Sequence, residues 1–269
     1  MGSAPLKAQQ LLKKYRLQAK KRLSQNFLLE PSIITSIVEV AQVSKEDNIL
    51  EIGPGLGALT EALLATGCQV TAIEIDTDLY QILRKEYTTP RLCLYNADIL
   101  EKPISDYVDI SCKIVANIPY QITSPILGAI AESRHCIQSA TLMVQKELAL
   151  RICAEKHSAH NSSLSIFCQS QFSLRLDCIV PKEAFHPKPK VDSAVVTLTP
   201  ITPTPQIPSE FFPFVRASFQ KRRKMLKSTH KAHPIATYLE SMGCNPLSRP
   251  QDLSAEEFMT LFHLIQQKS

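Results

Sequence analysis

The chain has 269 residues, 44% hydrophobic and 20% charged, the balance of a folded globular protein rather than a disordered or fibrous one. No apolar run reaches the roughly 18 residues that a bilayer crossing needs, and the basic N-terminus lacks an apolar signal core, so a cytoplasmic, membrane-free protein is expected. The net charge of +5 is uneven: residues 1–29 and residues 211–239 each hold seven Lys or Arg and no acid, which points to a polyanion met at two places.

The eight cysteines are dispersed and form no C-x-x-C pair, so they read as small core residues in a reducing compartment and no metal site is expected. Gly2 follows Met1, but Leu6 stands where an N-myristoylation signal needs Ser or Thr.

In chain order, residues 1–23 read as a basic arm, mobile or weakly helical. "PSIITSIVEVAQV" (31–43) has helical apolar spacing with Pro31 suited to a first turn. Strand-like apolar runs follow at 48–52, 69–75, 91–95, 113–116 and 140–144. Helical segments are predicted between and after them near 57–66, 77–87, 123–133 and 146–156. This alternation predicts a parallel sheet covered on both faces, an α/β class. A further helix near 162–171 and strands near 174–180 and 193–199 complete the first domain, residues 1–200. "TPITPTPQIPSE" (199–210), with four prolines, reads as a stiff linker. Residues 201–269 read as helices only, and Ser254 with Glu257 forms a capping box.

The chemistry begins at "ILEIGPGLGALTEAL" (49–63), a strand, a glycine-rich turn and a helix. Glycines at 53, 55 and 57 let a ligand approach the backbone closely. Glu74 ends the next strand, where a carboxylate can accept from both hydroxyls of a ribose, and Asp98 follows the third, where one can accept from an adenine amino group. Gly53-x-Gly55-x-x-Ala58 also fits the looser dinucleotide fingerprint, which would suit a nicotinamide oxidoreductase. Asn117-Ile118-Pro119-Tyr120, ending the fourth strand, sets an amide, a rigid ring and a phenol at the tip of an apolar run. A turn alone would account for Asn and Pro. These groups also suit a flat polar acceptor. No defensible nucleophilic triad or metal cluster accompanies them.

"E-x-G-x-G-x-G" from Glu51 resembles the first motif of class I methyltransferases, and "NIPY" resembles the [Asn/Asp]-x-Pro-[Tyr/Phe] motif of amino-methyltransferases acting on nucleobases. "KRLSQNFLLEPSII" and "FHPKPKVDSAVV" (185–196) are similar to further blocks of the ribosomal RNA adenine dimethyltransferase family. The resemblance runs from about residue 20 to the C-terminus. It implies a Rossmann-like domain binding S-adenosylmethionine through Asn26, Leu28, Gly53, Glu74, Asp98 and Asn117. It further implies acceptor handling by Asn117, Pro119, Tyr120 and Phe185, with the Asn117 side-chain oxygen and the Ile118 carbonyl holding the amine. Lys21, Arg22, Lys188, Lys190, Arg222, Arg223 and Lys224 would meet RNA, the last three on a helix.

"FQKRRKMLKS" resembles the C-terminal helix of the branch that dimethylates two adjacent adenosines near the 3′ end of small-subunit RNA. That implies a monomer acting on the small-subunit particle, with the 201–269 domain docking there. A member of the macrolide-resistance branch, which modifies large-subunit RNA, would share "NIPY" and "FHPKPKV". A non-catalytic RNA-binding assembly factor would keep the pocket without the turnover. Ser162-Ser163 departs from the family's usual Tyr-Gly.

Overall fold

A computed structural model describes residues 4–108 and 111–267. By internal contacts the chain divides into Met1–Ala149 with Arg175–Pro200, and Leu150–Leu174 with Ile201–Ser269. The sequence places a boundary only near residue 200. The contacts also assign the 150–174 segment to the second unit.

Among the described residues the strands are β1 (Phe27–Leu28), β2 (Asn48–Ile52), β3 (Gln69–Glu74), β4 (Leu92–Asn96), β5 (Cys112–Asn117), β6 (Ile137–Gln145), β7 (Phe172–Val180), β8 (Phe185–His186) and β9 (Ser193–Pro200). Seven of them form one sheet in the order β4-β3-β2-β5-β6-β9-β7. The first five strands of that order run parallel, and β9 runs antiparallel to β6. The apolar run Ile114-Val115-Ala116 is buried on both faces, as a central parallel strand requires. Neighbours of β2 are β3 on one side and β5 on the other, so the chain order reverses between β2 and β5. A crevice opens at such a switch point, beyond the carboxyl ends of the strands. β1 and β8 form a separate antiparallel pair, with Leu28 opposite Phe185.

Helices α1 (Ala4–Lys14), α2 (Pro31–Val40), α3 (Ala58–Ala65), α4 (Thr77–Glu86), α5 (Thr123–Glu132) and α6 (Lys146–Ile152) accompany these strands. Of the two readings of the arm, mobile or weakly helical, α1 agrees with the helical one and corrects the mobile one: it is a helix with Ala8 and Leu11 buried in the core cluster that includes α3. Its cations are engaged by the acidic body. Lys14 Nζ and Tyr15 Oη both donate to Glu86 at 2.6 Å, and Lys7 lies 3.7 Å above the Tyr87 ring. Lys20 Nζ then bonds Asp76 and Asp78, each at 2.6 Å. A polyanion is therefore not the only partner an acid-free run can find.

The second unit contains α7 (Ser163–Gln169), α8 (Phe211–Gln220), α9 (Leu226–Thr229), α10 (Ile235–Ser241) and α11 (Ala255–Gln266) around Phe211, Val215, Phe258 and Leu261. Ser162-Ser163, the departure from the family pattern, starts α7: Ser162 and Ser165 form a capping box. The helix expected through Lys221–Lys224 is broken. α8 stops at Gln220, and the four cations lie in a turn closed by Lys224 N–H to Lys221 O at 2.8 Å. On a continued helix Lys221 and Lys224, three apart, would be like-charged neighbours, which disfavours continuation. The break also lets Leu226 bury completely, with its N–H bonded to Ser248 O at 2.9 Å.

If α1 is docked as described, Leu11→Ala should cost about 2–5 kcal/mol in denaturant unfolding. A mobile arm would leave the midpoint unchanged.

Candidate active site

One cleft at the carboxyl ends of β2 to β5 encloses about 1060 Å³, part of it open to solvent. Asn26, Leu28, Gly53, Glu74, Asp98 and Asn117 line it, together with Pro119, Tyr120 and Phe185. Gly53, Glu74, Asp98 and Asn117 converge because parallel strands deliver their tips to the same edge, while the separate β1–β8 pair brings Leu28 and Phe185 to that cleft.

The three glycines of the turn after β2 do different work. Gly53 has φ +70°, its N–H bonds Ile73 O, and a Cβ there would enter open space in the cleft. Gly57 does not line the cleft. It starts α3 at φ +78°, and a Cβ would stand 2.7 Å from the Tyr87 ring, whose hydroxyl donates to Gly57 O. Its requirement for glycine is packing rather than ligand approach, which corrects the equal reading of all three.

Both oxygens of Glu74 accept backbone N–H groups, one from Gly55 at 3.0 Å and one from Asp76 at 2.8 Å. This fixes the carboxylate plane and leaves each oxygen a second lone pair. Burial pushes the Glu74 carboxyl up despite those bonds. Asp98 Oδ1 accepts from Leu100 N–H at 2.9 Å. Its other oxygen has no protein partner among the described residues.

Glu51, the acid that opens the E-x-G-x-G-x-G motif, also lines the cleft, although it is not among the residues expected to bind the cofactor. It is 1% exposed, and Thr60 Oγ1 donates to it at 2.6 Å. Burial, then the nearby Glu74 charge, push it up to about 8 against the Thr60 bond. Its signals in the sequence were an acid inside an otherwise apolar strand and its place at the head of the glycine motif.

At the tip of β5, Asn117 Nδ2 donates to Asn26 O at 3.3 Å. Using the amide's donor end there leaves Oδ1 as an acceptor, and it has no partner among the described residues. Ile118 N–H bonds Met143 O at 3.1 Å, and Pro119 holds φ at −57°, so the peptide carrying the Ile118 carbonyl is fixed on both sides. Tyr120 Oη lies 2.8 Å from Ser193 Oγ. Phe185 is buried and held beside Leu28 by the β1–β8 pair.

The cations expected to meet RNA do not gather in this cleft. Arg22 is exposed, and the Lys21 side chain lies outside the described part. Lys188 bonds Glu183 at 2.6 Å. With Lys190 it lines a second recess that shares Asn26, Phe27 and Tyr120 with the cleft. In the second unit, Arg222 donates to Ala159 O, while Arg223 and Lys224 are exposed. Sequence reasoning missed Asp76, which is 2% exposed. Burial pushes its carboxyl up, but the bonds from Lys20 and Gln25 outweigh that and hold it below its ordinary value. Among the described residues no helix is long and apolar enough to cross a membrane. No three His, Cys, Asp or Glu among them are grouped to hold a metal.

A mixed sheet with five adjacent parallel strands, a glycine turn after the first of them in the chain, acids at the ends of the second and third, and Asn-Ile-Pro-Tyr at the end of the fourth define a Rossmann-like methyltransferase domain, here with a helical C-terminal part. The family described as "Ribosomal RNA adenine dimethylase" matches residues 16–267, and the chain belongs to it. It is 40% identical to a ribosomal RNA small subunit methyltransferase A of Mycoplasmopsis pulmonis, over 91% of this chain and 98% of that protein. It is similar to the crystal structure of a dimethyladenosine transferase from Plasmodium falciparum, with TM-score 0.76, 26% identity and coverage of 89% and 97%. It is also similar to the 23S rRNA methyltransferase ErmE, with TM-score 0.72, 26% identity and coverage of 90% and 100%.

The Glu51 carboxyl sets a pH dependence. An acid whose folded value is raised contributes stability fully present below its unfolded value of about 4.5 and lost as pH rises toward about 8. Thermal unfolding of wild type should therefore lose ground to Glu51→Gln across that window. Parallel pH profiles for the two proteins would show Glu51 ionised at neutral pH.

Proposed function

We propose that this protein transfers methyl groups from S-adenosylmethionine to the N6 amines of two adjacent adenosines near the 3′ end of small-subunit ribosomal RNA. It acts in the cytoplasm as a monomer on the maturing subunit. The observation that carries the reading is the tip of β5. There Asn117 presents an acceptor oxygen beside the rigid Ile118–Pro119 peptide, in the same cleft as Glu74, Asp98 and Gly53. The names of the curated relatives favour small-subunit RNA.

The cleft residues fit the cofactor. The open space at Gly53 admits a ligand against the backbone, Glu74 keeps lone pairs for ribose hydroxyls, and Asp98 keeps an acceptor for an adenine amine. Asn26 and Leu28 close the same cleft. When bound, S-adenosylmethionine supplies a methyl group on a positively charged sulfur.

The remaining work falls to the chain. An adenine amine is a poor nucleophile because its lone pair is delocalised into the ring. Asn117 Oδ1 and the Ile118 carbonyl accept its two N–H groups, favour a pyramidal nitrogen and stabilise the positive charge that develops on it. Tyr120 and Phe185 offer faces for the extruded base. No strong base is needed, because the proton becomes acidic once nitrogen has attacked, and positioning supplies much of the rate. Lys21, Arg22, Lys188, Lys190, Arg223 and Lys224 meet RNA phosphate, and residues 201–269 dock on the particle. Arg222 contributes there after releasing Ala159 O.

Isotope-labelled methyl transfer to immature small and large subunits tests the reading. Label in N6,N6-dimethyladenosine of small-subunit RNA is expected. Label confined to large-subunit RNA would instead support the activity named for ErmE, and no transfer to either would support a non-catalytic factor. Asn117→Ala should lower turnover by at least about a hundredfold, the scale of removing one acceptor of developing charge, with RNA binding retained. Arg223→Ala with Lys224→Ala should weaken binding and reduce the slope of log affinity against log salt by roughly one to two.

A further inference from the structure

Two neighbouring residues outside the sites assigned above bond to the Tyr120 hydroxyl and to the turn that leads into Phe185. Ser193, the first residue of β9, is fully buried, and its hydroxyl meets the Tyr120 hydroxyl at 2.8 Å. Asp192 Oδ1 accepts the N–H of Lys182 at 3.2 Å. Lys182 opens the 3-10 turn Lys182–Ala184 that leads directly into Phe185. The pair is itself anchored. Ser193 stands opposite Gln145 at the end of β6, and Asp192 O accepts Lys146 N–H at 3.0 Å.

We infer that Asp192 and Ser193 are positioning residues that set the gap between the Tyr120 and Phe185 rings, and so the plane in which an acceptor adenine is held. The inference rests on the proposed function. Tyr120 is only half-buried and opens a short 3-10 turn, so packing alone restrains its ring weakly. Stacking uses the face of the ring and does not need the hydroxyl, and the related motif accepts Phe as well as Tyr. In this chain the hydroxyl is bonded to a fully buried serine on the central sheet, which ties the ring's far end to a rigid element. Phe185 is restrained twice, through β1 and through the Asp192–Lys182 bond at the start of its turn. One dipeptide thereby references both rings to β6, the strand whose Met143 carbonyl also holds Ile118. The two faces and the amine acceptor share a single frame.

The test is a double-mutant cycle on the full chain, with small-subunit RNA as acceptor and cofactor affinity measured separately. Ser193→Ala and Tyr120→Phe each remove the same bond, the second from a half-exposed side chain that leaves the core intact. Each should lower kcat by about tenfold with cofactor affinity unchanged, and the double variant should be no worse than either single one. Asp192→Asn, which keeps the acceptor oxygen, should recover most of what Asp192→Ala loses. Additive losses in the cycle, or kcat unchanged in Ser193→Ala and Tyr120→Phe, would overturn the inference while the wild type stays active. A wild type that transfers no methyl group to ribosomal RNA would overturn the functional reading and the inference with it.

Discussion

The hydrogen bond from Asn117 Nδ2 to Asn26 O joins residues 91 positions apart and decides which end of an amide is left for a ligand. Were the amide turned over, two carbonyl-type oxygens would face each other. Holding the donor end on the backbone therefore dedicates the acceptor end to something else. The bond depends on where the 24–28 segment lies. β1 fixes that segment against β8, and the Gln25 side chain fixes it against Asp76 at 2.7 Å. The tip of the fourth parallel strand is thus completed by chain that precedes the sheet altogether.

That dependence gives the N-terminal charge a different meaning. Lys14 and Lys20 are ion-paired to Glu86, Asp76 and Asp78, and Asp76 also sends its N–H to Glu74 in the cleft. The Asp76 side chain therefore holds Lys20 and Gln25 from the N-terminal segment, while its backbone N–H holds a carboxylate within the cleft. Exposed pairs such as Lys20–Asp78 add little stability on their own. Asp76 is buried, so removing its partners would leave an uncompensated charge, which is the costlier event.

Much of the fold was legible because central parallel strands are continuous apolar runs. β2 begins and ends where its apolar run does, and β5 and β6 exceed their runs by only a few residues. The gathering of Gly53, Glu74, Asp98 and Asn117 in one cleft was legible because parallel strands align their ends. What could not be read depended on partners far away in the chain. The acids that capture the arm lie more than fifty residues beyond it. The break at Lys221 is compensated by the burial of Leu226 and its bond to Ser248. Gly57 looks like a ligand glycine until Tyr87 is seen against it. Glu51 carried no local sign that it would be sealed in with Thr60 and face Glu74.

The central claim is that two backbone-anchored oxygens at one strand tip hold an extruded adenine amine. The most direct measurement is a crystal structure of the protein with S-adenosylhomocysteine and an RNA hairpin carrying the target adenosines. The account predicts one adenine turned out between Tyr120 and Phe185, its N6 within about 3 Å of both Asn117 Oδ1 and the Ile118 carbonyl oxygen. An adenine whose N6 contacts neither oxygen, or a cleft in which Tyr120 and Phe185 close on each other and exclude the base, would contradict it.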